Sequence, residues 1–153
     1  MSGTEWTAGQ RANALQFDGT NDYVSIPDSS SLDITSSITI STWIRPTDVS
    51  GSRVFLSKHS SPSDTGYLLA SINGILYFQF GDGGGWPYSS STSLSAVSAN
   101  TWQHVAVTRS GGTVNFYING VLDVTRSVGT NNIAINNQHV WLGGDVNIPG
   151  HAP

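Results

Sequence analysis

The sequence predicts an all-β fold, an antiparallel sandwich of two sheets, and three observations carry that prediction. Apolar and polar residues alternate in short runs such as Ile38-Thr39-Ile40-Ser41 and Val105-Ala106-Val107-Thr108, the period of a half-buried strand. No segment keeps apolar residues at i, i+3, i+4 and i+7 through successive turns, so an amphipathic helix has no support. Turn chemistry recurs about every 8–12 residues, which divides the chain into around ten short strands.

Taken in order, Ala14-Leu15-Gln16-Phe17 and Tyr23-Val24-Ser25-Ile26 read as strands on either side of a Gly-containing loop. Ser37–Ile44, Arg53–Ser57 and Gly66–Ile72 follow, with Pro46 and Pro62 as stops between them. Asn73-Gly74 is a hairpin signal, because both central positions of a type I′ turn need positive φ and these two residues tolerate it best. It joins Gly66–Ile72 to Ile75–Phe80. The composition of Gly81–Ser93, GDGGGWPYSSSTS, marks a loop. TWQHVAVTRSGGTVNFYINGV at 101–121 supplies two strands around Ser110-Gly111-Gly112, and Asn119-Gly120 turns the chain into Val121–Arg126. Val140-Trp141-Leu142-Gly143 is the last apolar run. Residues 1–12 read as a tail or the start of a first strand, and 13–153 as one sandwich domain, the scale that 153 residues allow.

Composition narrows the partners. Charged residues make up 10% of the chain, against roughly a quarter in an average soluble domain. Ser, Thr, Asn and Gly carry the polarity instead. The net charge is −4 and the six basic residues are scattered, so no cationic stripe exists to neutralise phosphates, which argues against nucleic acid and anionic membrane. The chain has no cysteine, which excludes disulfides and thiolate metal sites. Neither a spanning apolar run nor a secretory leader is present.

With the strands placed, the residues themselves point to a family. ALQFDGTNDYVSIP at 14–27, SITISTWIRP at 37–46, TWQHVAVTR at 101–109, VNFYINGVL at 114–122 and VWLGGD at 140–145 closely resemble the laminin-G-like branch of the concanavalin A-like lectins and glucanases, over Asn13 to Asp145. The resemblance implies a jelly-roll β-sandwich. It also implies a further strand of the type Phe-x-Gly-x-Ile-Asp-x-x-Arg-Ile beside the N-terminal strand. This chain reaches His151-Ala152-Pro153 where that strand would begin, so the expectation is a sandwich lacking its last strand. Another chain or a swapped copy of this one would then supply it.

Catalysis lacks its parts. Related glucanases use a Glu-x-Asp-x-x-Glu cluster, and a retaining pair must stand about 5–5.5 Å apart; here Glu5 is the sole glutamate and no strand carries two acids. A Ser-His-Asp reading of His104 fails because that residue lies inside a strand and no Gly-x-Ser-x-Gly elbow exists. His59, His139 and His151 have unlinked spacings. No catalytic residue is therefore assigned.

Two segments suggest binding. Asp18-Gly19-Thr20-Asn21-Asp22 offers oxygens from Asp18, Asn21 and Asp22 to a hard cation, and the resemblance implies calcium there. The same residues also make a turn that needs no metal. In the 81–93 loop, Trp86 and Tyr88 offer flat faces for a sugar ring and Asp82 a hydrogen-bond acceptor, whereas Trp86 folded over the core would be only a lid. The family implies a non-catalytic binding or adhesion module, for carbohydrate and with calcium, acting extracellularly or on a virion or cell surface within a larger protein. The alternative is a structural or interaction module completed by a partner strand.

Overall fold

The computed structural model describes residues 3–61, 63–84 and 91–144. Among these, twelve strands form two antiparallel sheets and a separate hairpin. The hairpin pairs β1 (Glu5–Ala8) with β2 (Asn13–Gln16). One sheet has the order β11-β10-β9-β4, built from β4 (Ile38–Ile44), β9 (Gln103–Ser110), β10 (Thr113–Ile118) and β11 (Val121–Ser127). The other has the order β3-β12-β5-β6-β7-β8, built from β3 (Val24–Ile26), β5 (Ser52–Ser60), β6 (Thr65–Ile72), β7 (Ile75–Asp82), β8 (Thr92–Ala96) and β12 (Val140–Leu142). None of the described helices is long and apolar enough to cross a membrane.

The period-2 pattern decides which side chains meet. Ile38, Ile40, Val105, Val107, Val114 and Phe116 face inward from the four-stranded sheet, against Leu69, Leu76, Phe78 and Phe80 of the six-stranded one. Burying one such side chain contributes about 1.5–3 kcal/mol, so a one-residue slip in any of these strands would expose the whole set. Both Asn-Gly turns form as expected: Asn73 and Gly74 have φ of 50° and 81°, Asn119 and Gly120 of 53° and 80°. The asparagines also reach outward, Asn73 Oδ1 accepting from Gly51 N at 2.9 Å and Asn119 Oδ1 from His104 N at 3.0 Å.

Two differences from the sequence reading stand out. Glu5–Ala8 is a strand, paired through Trp6 opposite Leu15. The presumed loop at 81–93 is shorter at both ends, since β7 runs to Asp82 and β8 begins at Thr92. On β9, His104 and Arg109 point to opposite faces. Trp43 lies on the outer face at 39% exposure, edge-on to His104 with ring centroids 5.4 Å apart.

Arg109 is inward and 2% exposed. Its guanidinium lies 4.2 Å from the centre of the Phe80 ring and donates to the carbonyls of Ser36, Asn131 (2.5 Å) and Gly129 (3.5 Å). The 129–131 segment is thereby tied to the sheet that carries β9.

The two sheets are also stitched along their β8–β11 side. The register between β10 and β11 passes from Phe116 opposite Val124 to Tyr117 opposite Leu122, which leaves Asp123 as the extra residue of a β-bulge, and a bulge re-aims its side chain. Its carboxylate accepts from Leu94 N at 2.5 Å and Ser95 N at 3.1 Å, while Arg126 Nε donates to Thr92 O at 2.9 Å. An acid and a base thus cap the amides and a carbonyl that an edge strand leaves unpaired. Burial pushes the Asp123 carboxyl up, but the bonds from Ser95 and Leu94 outweigh it and hold it below the ordinary 3.8. Asp123→Ala is expected to cost about 1–2 kcal/mol in urea denaturation. A carboxyl lowered on folding stabilises the fold above its unfolded pKa, and that contribution is lost as pH falls below about 3.8. The variant should accordingly lose part of the wild-type acid sensitivity; an unchanged midpoint and acid profile would refute the cap.

Candidate binding rim

Strand directions sort the loops into two rims. β3, β5 and β7 run one way and β6, β8 and β12 the other. The ends of β3, β5 and β7 therefore share one rim with Asp82. The Asp18–Asp22 loop precedes β3 and lies at the opposite rim, where a Cβ added to Gly143, just past β12, would fall 2.5 Å from the Phe17 ring. Asp82 is thus separated from the sequence-predicted metal residues Asp18, Asn21 and Asp22 by the length of the sheet.

At the first rim, Asp82 closes β7 and accepts from Asn131 Nδ2 at 2.5 Å and from Gly84 N at 2.9 Å. The Gly84 amide and the Asn131 side chain hold its carboxyl below the ordinary range. Asn131 is itself placed by the core, because its carbonyl accepts from buried Arg109. The same crossing segment then binds the ends of β6 and β7: Gly66 N donates to Ala134 O at 2.8 Å, and Ala134 N donates to Gly81 O at 2.9 Å. At Gly66, with φ of 88°, a Cβ would stand 1.8 Å from the Lys58 carbonyl, so this close approach excludes any side chain. Trp86 and Tyr88 lie outside the described residues.

Lys58 is the feature that sequence reasoning missed. It is 1% exposed on β5; its ammonium donates to Asp28 Oδ1 at 2.8 Å and the Asn136 carbonyl at 2.6 Å, and it lies 3.2 Å from Asp33 Oδ1 as an ion pair. The Lys58 bond is the largest cause holding the Asp28 carboxyl below its ordinary value. Tyr67, opposite Lys58 in the register, donates its hydroxyl to Leu32 O at 3.0 Å; burial first, then the charge of Asp33, pushes that phenol up. One ammonium therefore pins the 28–33 loop and the 131–136 crossing to the same strand end. The only sequence cue was a base directly after the Arg53–Ser57 run; its acids lie in another segment, and no local spacing links them.

At the opposite rim, the structure brings Asp18 and Asp22 together. Asp18 Oδ1 accepts from Thr20 N at 2.7 Å, Asn21 N at 3.1 Å and Asp22 N at 3.4 Å, and Asp22 Oδ2 accepts from Asp18 N at 2.9 Å. The Thr20 and Asn21 amides hold the Asp18 carboxyl low. One oxygen of each acid is thus committed to the loop's own backbone. Among the described residues, no group of three or more His, Cys, Asp or Glu converges to hold a metal.

The Lys58 network yields a direct test. Breaking a buried ion pair from one side leaves uncompensated charge, so Lys58→Met should destabilise the domain by about 3 kcal/mol in urea denaturation. Asp28→Asn, which leaves Asp33 on the ammonium, should cost less. Equal losses in both would show that the ammonium does not bridge the two acids.

With the geometry in hand, comparison with known proteins is informative. Solved structures of the same fold include the binding domain of Paraclostridial Mosquitocidal Protein 1, at 20% identity and TM-score 0.73, covering 99% of this chain and 40% of that one. Domains LG4-5 of the mouse laminin alpha1 chain follow at 18% and 0.69, covering 90% and 38%. Domain 4 of AbnA, an extracellular arabinanase from Geobacillus stearothermophilus solved with arabinotriose, gives 18% and 0.66, covering 94% and 67%. The chain spans about two fifths of the first two, and likeness at these identities establishes the fold. No curated protein matches. The laminin-G profile described as concanavalin A-like lectin/glucanases superfamily matches residues 18–152, and the chain therefore belongs to the laminin-G family of that superfamily.

Proposed function

We propose that the chain is a non-catalytic, extracellular binding module for carbohydrate, contacting neutral glycan with the Asp82 rim. The observation that carries this reading is the Asp82–Asn131 pair, an acceptor and an amide fixed at the strand ends by buried Arg109, as oriented sugar recognition requires. Trp86 and Tyr88 follow Asp82 closely in sequence and supply the stacking surface. The absence of charge on most of the surface suits a neutral polymer, and a fold shared with a domain solved in complex with arabinotriose supports the class of ligand.

The acids support a non-catalytic reading. A retaining glycosidase needs two carboxyls about 5–5.5 Å apart, whereas Glu5 is the sole glutamate and no described strand carries two acids. A glycan array with the folded protein should show binding that Asp82→Ala and Trp86→Ala each weaken about tenfold or more, with melting temperature changed little. Absence of binding to every glycan would end the carbohydrate reading, and a large loss of stability in Trp86→Ala would make that residue a core lid.

Calcium at Asp18, Asn21 and Asp22 belongs to the same proposal. Bound ion would stabilise the folded state by mass action, so millimolar calcium should raise the melting temperature of the wild type and not of Asp18→Ala. An unchanged wild-type melt would remove calcium from the reading. A second reading, an interaction module completed by a partner strand, is favoured by the edge of β4.

A further inference from the structure

The outward side chains of the four-stranded sheet include no Asp, Glu, Lys or Arg. The acid and base of β11, Asp123 and Arg126, turn instead to β8. Strand register sets the outward residues in rows. Trp43 of β4 stands beside His104 of β9, and one pleat further along, Ala106 of β9 stands beside Tyr117 of β10. Trp43 is 39% exposed, and its plane meets that of His104 at 60°, so the two rings do not cover each other's faces. The small Ala106 keeps the surface low between them and Tyr117. The next row is polar. Thr125 Oγ1 donates to Asn115 Oδ1 at 2.7 Å, and Asn115 Nδ2 donates to Thr108 Oγ1 at 3.4 Å. This orients the Asn115 carboxamide across three strands and leaves one of its N–H groups and one carbonyl lone pair open.

We infer that this face is a second glycan surface, which holds a neutral oligosaccharide with its rings against Trp43 and Tyr117 and its hydroxyls on the Thr108–Asn115–Thr125 row. It is independent of the Asp82 rim, which belongs to the other sheet. The ligand class follows from the chemistry of the two rows. A sugar has C–H-rich faces that rest on aromatic rings and hydroxyls that both donate and accept, and here the two kinds of partner lie side by side. A charged ligand would meet no counter-charge. A protein partner would need an apolar centre with its polar groups at the rim, whereas Thr108 and Asn115 sit on the two central strands and would have to be desolvated. Because Asn115 is already held, a bound sugar loses little to ordering it. Nothing here depends on what lies beyond β4. A strand paired there would continue the rows and leave the outward side chains uncovered.

Affinity electrophoresis of the full chain through gels holding arabinan, xylan or mixed-linkage glucan tests this, with polygalacturonate as the anionic control. The assay is run in the Asp82→Ala background, so that the rim contact cannot supply the result. At least one neutral polymer should retard that protein, equally at low and high salt. Adding Trp43→Leu, which keeps apolar area without an aromatic face, should weaken retardation at least about fivefold, while Trp43→Phe keeps most of it. If Trp43→Leu fails to fold, Tyr117→Leu serves in its place. Titrating the Asp82→Ala protein with oligosaccharides of the retarding polymer should also move the Trp43 indole and Asn115 carboxamide signals in its NMR spectrum. Retardation by none of the neutral polymers, or by polygalacturonate alone, would overturn the proposal. So would full retardation of the leucine variant with an unmoved Trp43 signal. A wild-type chain retarded where Asp82→Ala is not would confine binding to the rim, overturning this surface and leaving that reading intact.

Discussion

The buried guanidinium of Arg109 is the constraint on which the rest of the molecule depends. It enters the core from β9, rests on Phe80 of the opposing sheet, and binds carbonyls at Ser36, Gly129 and Asn131. A planar, permanently charged fork can serve several carbonyls and an aromatic face at once, which a lysine cannot do. Both sheets and the crossing from β11 to β12 are thereby referred to one rigid group. Asn131 inherits its position from that group and passes it to Asp82. The polar pair at the rim is therefore fixed from the inside of the sandwich outward.

Lys58 plays the corresponding part nearer the edge. Its chain sits among core residues, and its head meets two acids whose side chains are 29% and 24% exposed. Partial access to water lowers the cost of burying the charge, while the anchored loop closes the sandwich end. Two buried cations, on opposite sheets, thus do at this rim what apolar packing does in the middle. The apolar packing has no directional preference; the cations set which segment lies where.

Much of the fold was legible because strand periodicity is a local property. Ile38–Ile44 and Gln103–Ile118 announce themselves through alternation, and both Asn-Gly turns through the positive φ they permit. What escaped reading depends on groups distant in sequence. β8 has the weak pattern TSLSA and is held by Ser93 Oγ accepting from Leu76 N, by Asp123 and by Arg126. The bulge that frees Asp123 has no signature in VLDV. Lys58 was visible only as an isolated base, since its carboxylates lie 30 and 25 residues earlier. At the candidate sites, residue types were readable but their grouping was not. Asp82 finds Asn131 from 49 positions away, and no spacing rule predicts that pair.

The same topology limits how the two expected sites can influence each other. Asp82 ends β7, and Asp18 and Asp22 precede β3, which runs in the same direction, so the rims stand at opposite ends of one sheet. An ion at Asp18 and Asp22 could not share a ligand or a coordinating oxygen with a sugar at Asp82. Any calcium effect on binding at the far rim would have to pass through the stability of the sandwich. That route is mass action on the folded state, and it would change the fraction of protein able to bind, leaving the intrinsic affinity of the folded rim unaltered. The sheet that carries Asp82 at one end and the Asp18–Asp22 loop at the other is therefore also what keeps the two expected sites apart.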